Sequence, residues 1–162
     1  MASPALSEPT WEVLYAITIL GEPIPKGSMK GFPIRRGSGK MGVVLTNANP
    51  RTRGFEEAIA QEAFLARGHN TMIEEPVFLA MKFFLPRPKS APRWVIVPAV
   101  ARNDADKLQR TLFDGLKKGG IYRDDGQVVA GTFEKLFAGG WGDPMGASGI
   151  PRVWIELRRL CS

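Results

Sequence analysis

The stretch Asn103-Asp-Ala-Asp106-Lys-Leu-Gln-Arg110-Thr-Leu-Phe-Asp114-Gly-Leu-Lys-Lys118, followed by Gly119-Gly-Ile-Tyr-Arg-Asp124-Asp125-Gly126, decides how this chain is read. Leu108, Leu112 and Leu116 recur every four residues and define one apolar helical face, so the spacing predicts a helix over 106–118. Gly119-Gly120 ends it. Asp106, Arg110 and Asp114 share a second, charged face by the same spacing, and Asp104 lies just before the helix on that side. Five carboxylates thus crowd into a short part of a chain whose formal net charge is +6. Neighbouring carboxylates raise one another's pKa unless a positive charge sits among them, and a divalent cation is the usual one.

Working outward, Ile121–Arg123 and Gln127–Phe137 read as two strands joined by a turn at Asp124-Asp125-Gly126. Val77–Leu85 reads as a buried strand, and four prolines keep 86–98 irregular. Asn49-Pro50 opens a first helix that Gly68 closes. Trp11–Leu20 and Val153–Leu160 are further strands, and 138–149 is a Gly-rich loop. Residues 22–48, with three prolines and several glycines, read as a long mobile loop. Residues 1–10 read as a flexible tail before a single domain over 11–162. This unpatterned mixture of strands and about two main helices predicts an α+β (mixed α/β) fold around a small mixed sheet.

Composition narrows the functional classes. The hydrophobic and charged fractions, 44% and 23%, are those of an ordinary globular chain. No apolar run is long enough to span a bilayer, so no membrane partner is expected. One cysteine, Cys161, excludes an internal disulfide and suits a reducing cytoplasm. Basic residues form two acid-free tracts. Lys26, Lys30, Arg35, Arg36, Lys40, Arg51 and Arg53 lie between Glu22 and Glu56; Lys82, Arg87, Lys89, Arg93 and Arg102 lie between Glu75 and Asp104. That is the pattern of a surface that grips phosphates, or of solvated basic loops.

The acids have two readings. Asp106 with Gln109 has capping-box spacing, Asp125-Gly126 suits a turn, and Arg110 with Asp114 fits a surface ion pair. Alternatively they are ligands. All-carboxylate donors suit Mg²⁺, with Mn²⁺ able to substitute. The lone His69 and distant Cys161 offer no zinc motif, and Leu108 at the third ligand position excludes an EF-hand. Carboxylate-bound Mg²⁺ in a basic protein points to phosphodiester chemistry, with Arg110 or Lys135 near enough in sequence to stabilise developing charge.

The run 103–116, the run Gly120–Val129 and Lys135 closely resemble the RusA-type Holliday junction resolvases. Gly21-Glu-Pro-Ile-Pro-Lys-Gly27 and Pro86-Arg-Pro-Lys-Ser90 add weaker support, and the resemblance extends over about 17–160. It implies a homodimeric, Mg²⁺-dependent endodeoxyribonuclease that resolves four-way DNA junctions by paired nicks in recombination, repair or phage DNA processing. Asp104, Asp106 and Asp125 then correspond to the catalytic, metal-binding acids and Asp124 to a supporting ligand. Arg110 stands where the family usually has lysine, and Lys107 and Asn103 also depart from its common residues. Lys26, Lys30, Arg35, Arg36, Lys40 and Lys89 are the expected DNA contacts, and Phe32 is a candidate wedge or a locally packed ring. The setting implied is the cytoplasm of a bacterial cell, with chromosomal, phage and prophage origins all open. A non-catalytic, structure-selective DNA-binding protein and a related nuclease cutting flaps or forks are the alternatives.

Overall fold

The structure, a computed structural model, describes residues 9–35, 37, 39, 41–47, 49–92, 98–100, 103–140, 143–146 and 149–161. Strand β1 (Trp11–Leu20) is followed by a ribbon of β2 (Met29–Arg35) and β3 (Met41–Asn47), then helix α1 (Arg51–Arg67). After strand β4 (Val77–Leu85) come helix α2 (Ala105–Lys118), a 3₁₀ turn (Asp125–Gln127), β5 (Val128–Phe137) and β6 (Arg152–Leu160). The main sheet has the order β1-β6-β4-β5, antiparallel except for the parallel β4–β5 pair. This is the α+β architecture that the sequence predicts.

Period-two alternation puts Val77, Leu79, Met81, Phe83 and Leu85 on one face of β4, all buried. The register sets Ile17 beside Ile155, Ile155 beside Met81 and Met81 beside Phe133, so one apolar row crosses all four strands. Leu108, Leu112 and Leu116 of α2 are fully buried in the same core, with Ile59 and Ala63 of α1. Two glycines let the helices approach closely. A Cβ on Gly115 would lie 2.6 Å from the Ile59 Cβ, and one on Gly119 would lie 2.6 Å from the Ala60 carbonyl oxygen.

Three local expectations change. Residues 22–48 are not one long loop, because 29–35 and 41–47 pair as an antiparallel ribbon. Pro33 is tolerated there because a two-stranded ribbon leaves outward N–H positions unused. Ile121–Arg123 is no strand: Tyr122 makes a single parallel bridge to Ile73. Asp124-Asp125-Gly126 is not a hairpin turn either, since β5 runs parallel to β4. The Asp124 carboxylate accepts the Gly126 N–H at 3.0 Å, and the Gln127 side-chain oxygen accepts the Asp124 N–H at 3.0 Å. This capping box winds the chain into the 3₁₀ turn. The Gln127 amide also donates to the Ile73 carbonyl at 2.9 Å, fixing where β5 enters beside β4.

The α1 start agrees with expectation, with the Asn49 Oδ1 accepting the Arg51 N–H at 3.1 Å. Residues 1–8 of the expected tail lie outside the described residues, whereas the Thr10 carbonyl accepts the Cys161 N–H at 2.9 Å.

Candidate functional site

Helix α2 carries the candidate acids at its two ends. At its start, Asp104 is the N-cap residue, but its side chain makes no cap hydrogen bond. The exposed carboxylate pairs instead with Lys107 Nζ at 2.8 Å, and that hydrogen bond and charge hold it below the usual carboxylate range. Asp106 faces Arg110 at 3.9 Å one turn on. Lys135 reaches the same end from β5, where its register beside Phe83 turns it toward the helices, and Nζ donates to the Asn103 carbonyl at 2.9 Å.

The other end gathers a second group. Asp124 pairs with Lys117 at 2.8 Å, which together with the Gly126 N–H keeps it well ionised. Asp114 pairs with Lys26, which arrives from the segment after β1. Asp125 differs from both: its Oδ1 is buried without a hydrogen-bond partner. Burial pushes its pKa up, Lys117 opposes that, and the charges of Asp114 and Asp124 add to the rise. Behind it the Tyr122 hydroxyl donates to the Phe113 carbonyl at 3.3 Å, and burial raises the phenol's pKa. Glu56 of α1 borders this end, its pKa also raised by burial with Lys26 opposing.

Eight residues separate Asp106 from Asp114, about 12 Å along a helix axis. Asp104 and Asp106 therefore do not meet Asp124 and Asp125 around one point in a single chain. Among the described residues, no three His, Cys, Asp or Glu side chains are placed to hold a metal ion. The expected capping box at Asp106–Gln109 is also not formed, and the one found sits at Asp124–Gln127.

The expected DNA contacts divide. Lys30 and Arg35 are exposed on β2, and Lys89 is exposed in the turn after β4. Lys26 is engaged with Asp114. Arg36 and Lys40 lie outside the described residues. Phe32 is 51% exposed on the ribbon. Four partners at this site escape the sequence reading: Lys117, Tyr122, Glu56 and the Lys26–Asp114 contact. The spacing of Asp124 and Gln127 is the one readable signal among these features, since it has the same capping-box form as Asp106 and Gln109.

A model of the family endodeoxyribonuclease RusA matches residues 24–157. No curated protein matches the chain. The match covers most of the sequence, including both ends of α2 and the 3₁₀ turn between them and β5. This chain belongs to the RusA endodeoxyribonuclease family.

Proposed function

We propose that this protein is a homodimeric, divalent-metal-dependent endodeoxyribonuclease that resolves four-way DNA junctions in the bacterial cytoplasm. The observation that carries this reading is the family match over 24–157, with the matching acids standing solvent-accessible or half-buried at the two ends of α2.

The donor chemistry fits a hard cation. Every candidate ligand is a carboxylate, and the buried Asp125 Oδ1 lacks any protein donor. Asp104, Asp106, Asp124 and Asp125 are the residues that would hold Mg²⁺ or Mn²⁺. When bound, the ion supplies an activated water and offsets charge on the phosphodiester transition state. The chain's own cations have separate parts. Arg110, exposed beside Asp106, presents a planar donor fork to a non-bridging phosphate oxygen. Lys135 fixes the Asn103 carbonyl and so the entry of Asp104 into α2. Lys30, Arg35 and Lys89 bind backbone phosphates at a distance, a salt-dependent contribution.

Because the two acid groups lie about 12 Å apart along α2, a second chain is the natural source of the missing half of each ligand set. Two symmetry-related sites also suit a junction with two related scissile phosphates. Mixing Asp104→Asn chains with Asp125→Asn chains tests this, since only a shared site leaves one intact set in the mixed dimer.

Synthetic four-way junctions, flaps and plain duplex, with Mg²⁺ or EDTA, test the activity itself. Paired nicks in the junction, lost with EDTA and in Asp104→Asn, are expected. Tight binding without cleavage at any Mg²⁺ or Mn²⁺ concentration would establish the non-catalytic DNA-binding reading instead. Preferential cutting of flaps would replace the junction as substrate.

A further inference from the structure

The ribbon β2–β3 forms a sheet of its own and, among the described residues, pairs with no strand of the main sheet. Its register sets Phe32 beside Val44 and Ile34 beside Gly42. Alternation by two then gathers Lys30, Phe32, Ile34 and Val44 on one side, with Pro33, Arg35, Met41 and Val43 on the other. Phe32 is 51% exposed, Ile34 38% and Val44 44%. Gly42, across from Ile34, adds no side chain to cover them. A folded chain seldom leaves a contiguous apolar stripe in water unless something docks on it.

The root of the ribbon is clamped beside the candidate acids. Just before β2, the Lys26 N–H donates to the Lys107 carbonyl at 3.0 Å, and the Lys26 ammonium pairs with Asp114. Lys107 itself pairs with Asp104. Just after β3, the Asn49 side-chain amide donates to the Pro25 carbonyl at 3.4 Å, and the Thr52 hydroxyl donates to the same oxygen at 3.2 Å. Both strands therefore leave the body of the protein from one anchored point along α2. Seven residues of strand carry the ribbon about 20 Å from that root, well past the ~8.5 Å depth of a major groove.

Charge identifies the occupant. No acidic residue lies between Glu22 and Glu56, and Lys30 and Arg35, both exposed, bracket the Phe32–Ile34 segment. Cations on either side of an apolar stripe suit a polyanion whose own apolar faces are uncovered. Continuous duplex hides its base faces in the stack, whereas a branch point interrupts the stack. We propose that the Phe32–Ile34–Val44 stripe is a wedge that enters the branch point of a DNA junction. The Phe32 ring stacks on a base freed there, and Lys30 and Arg35 hold the flanking phosphates. This rests on the junction reading above, but not on cleavage.

The experiment uses four-way junctions carrying aminopurine, an adenine analogue whose fluorescence is quenched by stacking, either at the branch point or well out along one arm. The full chain is titrated in EDTA, with binding followed separately by anisotropy of an end label. Wild type should brighten the branch-point probe and leave the arm probe dark. Phe32→Ala should still bind but lose most of the brightening, and its preference for junction over duplex should fall about tenfold, the equivalent of one lost stack. Phe32→Trp should restore both. Met41→Ser, on the other side of the ribbon, should match wild type, which separates the stripe from a general effect of altering the ribbon. Lys30→Gln should weaken binding to junction and duplex alike yet keep the full brightening at saturation. Junction binding with a dark branch-point probe would overturn the wedge alone. Brightening that survives Phe32→Ala would do the same and leave the stripe to a protein partner. No junction binding at low salt would overturn the wedge and the junction reading together.

Discussion

Lys26 is tied to α2 twice, through its backbone N–H to the Lys107 carbonyl at 3.0 Å and through its ammonium to the Asp114 carboxylate. A residue that looks like part of a phosphate-gripping tract is thereby turned inward against the candidate site. The segment after β1 is pinned along the helix that carries the acids, and the pair is only about one-third exposed on each side.

Lys26→Gln should therefore leave the salt dependence of junction binding unchanged, whereas Lys30→Gln on the exposed ribbon should flatten it by about one unit in log K against log salt. Urea unfolding of Lys26→Gln, Asp114→Asn and the double variant should give a coupling on the order of 0.5 kcal/mol, as for a partly exposed ion pair. A slope that falls equally for both lysines would return Lys26 to the DNA surface.

Gly115→Ala should destabilise the fold although alanine favours helix. The added methyl would sit 2.6 Å from the Ile59 Cβ, and relieving it requires α1 to move away from α2. Overpacking of this kind costs roughly 1–3 kcal/mol, more than the ~1 kcal/mol that helix propensity returns. Denaturant midpoints of Gly115→Ala against wild type measure the balance.

Acid sensitivity should trace partly to Asp143. Burial raises its pKa, but Arg152 and the backbone N–H groups of Met145 and Gly139 outweigh that and hold it below its ordinary value. Arg152 in turn lies 3.8 Å over the Phe84 ring, so the pair anchors the loop after β5 to the sheet. A carboxyl depressed on folding adds stability above its unfolded pKa, and that stability is lost as pH falls through the folded value. Wild type should thus lose stability more steeply than Asp143→Asn below about pH 4, in thermal melts taken across that range. At neutral pH the variant should be the weaker, because Arg152 is left buried without its counter-charge.

The elements built on strong periodicity were legible in the residues. Three leucines at four-residue spacing marked α2, and alternation with a continuous apolar face marked β4. The 22–48 region was not, because proline and glycine content says where a chain can turn but nothing about a ribbon whose strands pair mainly with each other. The acids were legible as a list of candidates and illegible as a geometry. Helical spacing puts Asp106 and Asp114 on one face, yet it also puts about 12 Å between them. The partners of Asp104 and Asp114, Lys107 and Lys26, are chosen by local reach and by a distant segment respectively. Neither choice is encoded in the spacing of the acids.

Asp125→Asn should make the protein more stable and inactive at once. The Asp125 carboxylate is half-buried, one oxygen has no hydrogen-bond partner, and its pKa is raised by burial and by Asp114 and Asp124. A carboxyl whose folded pKa is raised favours the fold at low pH, and this contribution is lost as pH rises through the folded value. Without metal, then, Asp125→Asn should melt above wild type at neutral pH and converge with it toward pH 4 and below. Mg²⁺ should reverse the order. An ion held at tenfold its dissociation constant stabilises wild type by about 1.4 kcal/mol, on the order of 3–6 °C for a chain of this size, and the asparagine variant by much less. Thermal melts of both proteins with EDTA and with Mg²⁺ measure this directly. Equal shifts on adding Mg²⁺ would remove Asp125 from the ligand set.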